Sequence, residues 1–225
     1  MSEHLEIEQK FDVDPGFERP SFGVLAEVDG LAGVTAAAPV LHHLSATYFD
    51  TADGRLAAAK VTLRRRSGGT DEGWHLKLPA GAGARREVHA PLGAAEREVP
   101  LELTARVAEV TGGQPLAPIA TLDTERTVVT LHAADGRVVA EVADDLVTAR
   151  RLPAEDGSGG TGGSGGTGGS GGTDGSGGTT LRWREIEVEV PVADPDLQRA
   201  AADLLLAAGA RPAGHGSKLA RLLDA

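Results

Sequence analysis

The chain has 225 residues, with 33 acidic against 22 basic side chains, a net charge of −11, no cysteine and an aromatic set of two Trp, one Tyr and four Phe. Zero cysteine excludes a disulfide framework, cysteine-ligated zinc, an iron–sulfur cluster and a thiol nucleophile. No apolar run approaches the roughly 20 residues of a membrane span, and the acidic balance opposes general nucleic-acid binding, because a phosphate backbone would be repelled over most of the surface.

Taken in chain order, the pattern is one of short strands with a few helices. The opening Met1-Ser-Glu-His-Leu-Glu6 lacks the basic-then-apolar order of a signal peptide, so the expectation is a cytoplasmic protein. Alternation predicts strands over Leu5–Val13, Ser45–Phe49, Val61–Arg66, Trp74–Leu78, Arg86–His89 and Thr124–Leu131. At the end of the second of these, Tyr48-Phe-Asp-Thr51 begins as strand. It then passes to a helix cap, where Asp50 or Thr51 would serve backbone amides. A helix is expected over Leu101–Val110, closed by Gly112-Gly113, and Ala133-Ala-Asp-Gly136 marks a turn. Strand-like runs then flank a tract of Gly, Ser and Thr over residues 156–180. That tract offers almost nothing to bury and is expected to be a disordered loop between strands, within a single domain spanning 1–225. It holds 14 of the 31 glycines, so the rest of the chain has ordinary composition. A last helix should open at Asp194-Pro195 and run to Ala208, before Gly209. Successive strands favour antiparallel pairing, and the fold class is α+β.

The strand faces carry the chemistry. Period-two alternation puts Glu6, Glu8 and Lys10 on one face of the first strand, with Leu5, Ile7 and Phe11 on the other. Arg64 shares a face with Arg66, and His75 with Lys77; Arg126 aligns with Thr124, Val128 and Thr130, and Glu185, Glu187 and Glu189 form a row. One such strand reads as an ordinary solvated face. Two glutamate rows in solvent would repel each other for no gain. If the sheet closes on itself, the charged face becomes the interior of a barrel and the apolar face packs beneath helices. Carboxylate rows suit hard divalent cations, and Arg and Lys rows suit phosphate oxygens. Together they indicate a metal-bound polyphosphate. No glycine-rich phosphate loop precedes a helix, and the histidines show no zinc-ligand spacing.

Glu6-Ile-Glu-Gln-Lys10 resembles the Glu-x-Glu-x-Lys signature of the CYTH superfamily, the triphosphate tunnel metalloenzymes. The resemblance continues in order through Tyr48-Phe-Asp-Thr51, Leu63-Arg-Arg-Arg66, Trp74-His-Leu-Lys77, Glu125-Arg-Thr127, Ala140-Glu-Val-Ala-Asp-Asp145, Glu185-Ile-Glu187 and Gly216-Ser-Lys218. It implies an eight-stranded antiparallel tunnel with a polar interior and flanking helices. It also implies Lys10, Arg64, Arg66, Lys77, Arg126 and Lys218 as triphosphate ligands, with Arg86 a further one for which Arg85 competes. Glu6, Glu8, Glu141, Asp145, Glu185 and Glu187 would hold Mg²⁺ or Mn²⁺, with Asp144 the alternative to Asp145 in a shifted register. Glu185 and Glu187 are the expected water-activating pair, and Glu189 extends their row.

The activity so implied is metal-dependent hydrolysis of a triphosphate, with inorganic triphosphate favoured because the few aromatics offer no evident platform for a base or vitamin. Thiamine triphosphatase and class IV adenylate cyclase are the alternatives within enzymes. A non-catalytic polyphosphate-binding module is the alternative outside them, since related domains often precede a helical CHAD domain in a longer chain.

Overall fold

The alternating segments fold as strands that pair antiparallel with their neighbours. A computed structural model describes residues 1–27, 31, 33–81, 84–93, 98–153, 179–190 and 194–225. Its strands are β1 (Ser2–Val13), β2 (Thr35–Ala36), β3 (Val40–Asp50), β4 (Thr62–Ser67), β5 (Gly73–Pro79), β6 (Arg85–Ala90), β7 (Ala117–His132), β8 (Val138–Arg151), β9 (Thr180–Val190) and β10 (Arg211–Pro212). The helices are α1 (Arg55–Ala58), α2 (Leu101–Arg106), α3 (Ala108–Thr111), α4 (Pro195–Ala207) and α5 (Lys218–Leu223), with a 3₁₀ segment at Phe22–Glu27.

Eight strands close into a barrel in the order β1-β6-β5-β4-β3-β7-β8-β9 and back to β1. Closure depends on β1 changing partners along its length. Ser2–Glu6 pair with Arg85–His89 of β6, and Ile7–Val13 pair with Arg184–Val190 of β9 on the other edge. A closed sheet has no free edge, and its two faces become an inside and an outside.

The outside is the apolar face. Ile186, Val188 and Val190 of β9, with Val142 of β8 and Phe11 of β1, pack under Leu197, Ala201 and Leu205 of α4 and under the 3₁₀ segment. Those three helix positions recur every four residues and so form one stripe, each large side chain contributing about 1.5–3 kcal/mol on full burial. Across the barrel, Leu63, Trp74, Leu76 and Val88 pack under Leu56, Leu103 and Val107 from the α1–α3 region. A third cluster fills the inside at one end, where Tyr48, Leu122, Val147 and Trp183 meet Leu219 and Leu222 of α5. The last helix therefore plugs that end of the barrel.

Local chemistry sets the element ends. Asp194 caps α4 by accepting from the Leu197 amide at 3.0 Å, with Pro195 in the first turn. Asp50 accepts from the amides of Thr51, Leu56 and Ala57, tying the end of β3 to α1. The helix expected over 101–110 is broken into α2 and α3 at Val107, whose backbone (φ −108°, ψ 5°) leaves the helical region while its side chain is fully buried. Tertiary burial overrides the local helical preference there. β8 and β9 stay paired out to Arg150 and Thr180, and the Arg151 amide donates to the Thr179 carbonyl at 2.9 Å. Residues 156–178 of the expected loop lie outside the described residues. No helix among the described residues is long and apolar enough to cross a membrane.

Candidate active site

Because β1, β3–β9 all turn their polar face inward, strand register alone sorts the interior charges. Lys10 lies opposite Glu187, Lys77 opposite Glu87, Arg64 opposite His75, and Asp145 between Arg126 and Glu185. One row places Glu189 between Glu8 and Glu141, three carboxylates side by side. The side chains surround a cavity of about 340 Å³.

At its inner end Lys218, the first residue of α5, reaches back into the barrel. Its ammonium lies 2.8 Å from Asp145, 2.7 Å from Glu185 and 2.6 Å from Glu187. Arg126 donates two hydrogen bonds to Asp145, at 2.8 and 2.6 Å, and one to Glu187 at 2.6 Å. Lys10 pairs with Glu187 and, at 2.9 Å, with Glu8. The Trp183 indole donates to Glu185 at 2.5 Å, which joins the apolar plug to the charged floor. Along the opposite wall Lys77 meets Glu6 at 2.5 Å and Glu87 at 3.5 Å, and His75 Nδ1 lies 2.5 Å from Glu87. Arg64 donates to the Tyr48 hydroxyl at 3.3 Å, and Arg66 pairs with Asp71 on the β4–β5 turn.

The pairing is incomplete in a directed way. The Nε groups of Arg64 and Arg66 are buried without a hydrogen-bond acceptor, and so is Glu6 Oε2 without a donor. An orphaned buried polar group costs about 1–3 kcal/mol, more when charged, so such atoms are expected where a ligand completes them. Burial, with Arg64 and Arg126 nearby, pushes the Arg66 guanidinium down to about 9. On the acidic side, burial together with Glu6 and Glu8 pushes Glu189 up to about 7. One wall thus presents buried guanidinium donors without acceptors, and the other a crowded carboxylate row. Elsewhere opposite charges prevail. Glu187 is buried, yet Lys10, Lys218 and Arg126 hold it well below the usual carboxylate range. Asp145 is likewise lowered against its burial by Lys218 and Arg126. Burial drives the His75 imidazole down to about 4 despite its bond to Glu87.

The donor set suits a divalent cation. Asp145, Glu185 and Glu187 present carboxylate oxygens within 4.8 Å of one another, and the Glu8–Glu189–Glu141 row adds three more at the open side. All are hard oxygen donors, the type that Mg²⁺ and Mn²⁺ take, with no sulfur among them.

Lys10, Arg64, Arg66, Lys77, Arg126 and Lys218 all line the one cavity, as do Glu6, Glu8, Glu141 and Glu187. Asp145 and Glu185 sit behind Lys218, at the boundary with the plug. Arg86 is not brought to the site. It is exposed, with its guanidinium 3.4 Å from Glu3, and Arg85 lines the cavity instead. Asp144 also faces away, bound bidentately by Arg184 at 2.9 and 2.8 Å. Tyr48 also lines the cavity, and Glu87 and His89 are lining residues that sequence reasoning passed over. The Arg85/Glu87/His89 alternation carried the signal, since Lys77 fixes Glu87 as inward once the two strands are paired.

The CYTH domain family profile matches residues 4–221, and the chain belongs to the CYTH family. Two Mycobacterium tuberculosis proteins, Rv2226 of strain H37Rv and MT2285 of strain CDC 1551, are each 42% identical to it over 226 residues. That covers 99% of this chain but 40% of theirs, so the chain spans about two fifths of the length of these relatives. Among solved structures, a candidate adenylate cyclase from Bacillus halodurans superposes with a TM-score of 0.60 at 16% identity, covering 98% of both chains. A candidate adenylyl cyclase from Hippeastrum, described as having a dominant triphosphatase activity, superposes with a TM-score of 0.50 at 17% identity, covering 98% of this chain and 95% of its own. These likenesses establish the fold: a closed eight-stranded antiparallel barrel with flanking helices.

Proposed function

We propose that the cavity binds a linear triphosphate together with a divalent cation and hydrolyses a phosphoanhydride bond, with inorganic triphosphate as the substrate. The observation that carries this reading is the facing of orphaned Arg64 and Arg66 donors against a crowded carboxylate row inside one cavity of about 340 Å³. Neither a cation alone nor an anion alone would satisfy both walls.

Phosphoryl transfer asks a protein chiefly for positioning and charge stabilisation. Arg64, Arg66 and Arg126 suit phosphate oxygens through planar forks, and Lys10, Lys77 and Lys218 act as point charges. Glu6, Glu8, Glu141, Asp145, Glu185 and Glu187 would hold Mg²⁺ or Mn²⁺, which when bound neutralises phosphate charge and acidifies a water. Glu187, which lines the cavity and is kept ionised by its cationic neighbours, would orient that water, and Glu185, which sits behind Lys218, would support it through that lysine. Its oxygen bonds to the terminal phosphorus, the anhydride P–O bond breaks, pyrophosphate leaves, and the water proton passes by way of a carboxylate to solvent.

Preference for the inorganic substrate is supported by the cavity wall. Tyr48 is the only Phe, Tyr or Trp among the lining residues, and its hydroxyl is already engaged by Arg64. Trp74 packs in the outer core and Trp183 in the plug. The triphosphatase activity described for the Hippeastrum neighbour is consistent with the same chemistry. The absence of cysteine supports a cytoplasmic setting. A second reading, a polyphosphate-holding module of a longer protein with a helical CHAD domain as partner, is favoured by the greater length of the mycobacterial relatives.

Phosphate release from inorganic triphosphate, thiamine triphosphate and ATP, each with and without Mg²⁺ or Mn²⁺, separates these readings. The expected result is metal-dependent turnover fastest on inorganic triphosphate. Tight binding without turnover under every metal condition would rule out the enzyme and leave the holding module.

A further inference from the structure

The partner change in β1 leaves an opening in the barrel wall. On the edge that Ser2–Glu6 present to β6, the next described strand contacts are Phe11 and Asp12 with β10, and the Lys10 carbonyl accepts from the Ala213 amide at 2.9 Å. Ile7 to Gln9 have no strand beside them on that edge among the described residues. A second cavity, of about 390 Å³, lies over this gap and shares Glu8, Lys10 and Arg85 with the main one. The site therefore has a second mouth, besides the one lined by Ser2, His4 and His89.

Its chemistry is cationic. Arg85 spans the gap, donating at 2.6 Å to the Gly216 carbonyl, and no carboxylate pairs with it among the described residues. Lys60 lines the outer side, exposed and without an ion pair among the described residues. It is also the one described non-glycine residue in the left-handed region, at φ 58°. That backbone closes α1, with the Lys60 amide donating to the Ala57 carbonyl at 2.9 Å and the Val61 amide to the Leu56 carbonyl at 2.8 Å, and it fixes the side chain at the rim. His215 completes the rim, 3.6 Å from Asp224, and the sole lining carboxylate, Glu8, is already paired with Lys10. A cationic mouth on a chain of net charge −11 focuses small anions locally while the remaining surface repels them.

We propose that this second mouth is a distinct orthophosphate-binding port, formed by Lys60, Arg85 and His215 on the outside and continuous with the hydrolytic cavity through Lys10. Its role as the way out for the hydrolysis product rests on the reading of the cavity as a phosphoanhydride hydrolase; the binding itself does not. The test is titration of the ¹⁵N-labelled chain with orthophosphate against chloride at matched ionic strength, followed by backbone amide shifts. Saturable shifts are expected at Lys60, Arg85, His215 and Gly216, with the apparent Kd weakened about tenfold or more by Lys60→Glu, the order expected for a lost charged contact. Lys60→Gly is the fold-safe companion, because glycine relieves the positive φ while removing the charge, and it should weaken binding similarly. Shifts confined to the inner wall, or unchanged affinity in both variants, would overturn the port. Absence of turnover on any triphosphate with binding at the port retained would overturn the hydrolase reading alone.

Discussion

Replacing Lys218 by Met tests the electrostatic construction of the site, because the substitution keeps an apolar stem and deletes one charge. The side chain is 9% exposed, and its ammonium touches three carboxylates at 2.6–2.8 Å. At an effective dielectric of about 20, each contact corresponds to about 6 kcal/mol of attraction, most of it offset by desolvation. Removing one partner of a buried ion cluster costs about 3–5 kcal/mol, since the remaining charges stay buried and unpaired. For a chain of this size each kcal/mol moves Tm by about 2–4 °C, so the metal-free variant should melt roughly 6–20 °C below the parent. The carboxylates push the lysine pKa above its ordinary value despite burial. Its contribution is thus intact at neutral pH and fades only as pH rises beyond the usual lysine range. Thermal denaturation in EDTA provides the measurement, and added Mg²⁺ should raise Tm more in the variant than in the parent, because the unneutralised carboxylates bind a cation more tightly. A metal-free Lys218→Met protein melting within about 2 °C of the parent would refute this reasoning.

Arg66→Ala should lower kcat/KM on inorganic triphosphate about 10- to 100-fold, the range for losing a charged hydrogen bond, whereas Arg86→Ala should stay within about twofold; equal losses would show the inward–outward assignment to be wrong. Glu8→Ala should weaken metal activation about 10- to 100-fold in a Mg²⁺ or Mn²⁺ titration of turnover, and an unchanged metal dependence would remove Glu8 from the cation site. His75 takes up a proton in the unfolded chain at about 6.5 and in the folded chain only at about 4. Stability should therefore drop by up to about 3 kcal/mol from this group as pH falls through that window, and urea unfolding of His75→Gln between pH 6.5 and 4 should show a flatter profile than the parent. Replacing residues 157–178 by a short turn should retain activity and stabilise by about 1–2 kcal/mol of loop-closure entropy, since Arg151 and Thr179 are already hydrogen-bonded neighbours; loss of turnover would assign that segment a role in the site.

The site was legible where strand parity was unambiguous. Glu6, Glu8 and Lys10 share one face of their strand, and the recurrence of charged rows on other strands, Lys77 between Leu76 and Leu78 among them, turned that face inward. Parity could not decide between Arg85 and Arg86, adjacent and of one type, and only pairing with β1 and β5 turned Arg85 inward. Lys218 could be placed by resemblance alone. The six-residue helix it opens has little intrinsic stability, and it forms because Leu219 and Leu222 fill the barrel end and Ser217 caps it, accepting from the Ala220 amide at 3.1 Å. The break at Val107 and the gap beside Ile7–Gln9 are likewise products of tertiary packing, for which a local pattern has no sign.

The net charge of −11 gains its meaning from where the charges lie. Within the cavity the bases are held mainly by the glutamates: Lys10 by Glu8 and Glu187, Lys77 by Glu6 and Glu87, Lys218 by the floor carboxylates. A triphosphate entering alone would have to take Lys and Arg from these partners and leave the carboxylates exposed to one another in a desolvated space. A cation entering alone would do the converse to the lysines. On the proposed reading each ligand would repair the imbalance that the other creates, and the two would bind with a favourable coupling that neither wall could supply by itself. Such an exchange would let an acidic chain select a polyanion. The acids do not oppose the substrate once a cation occupies them, and until then they keep the bases ordered and the barrel folded around a space that would otherwise be a repelling cluster of like charge.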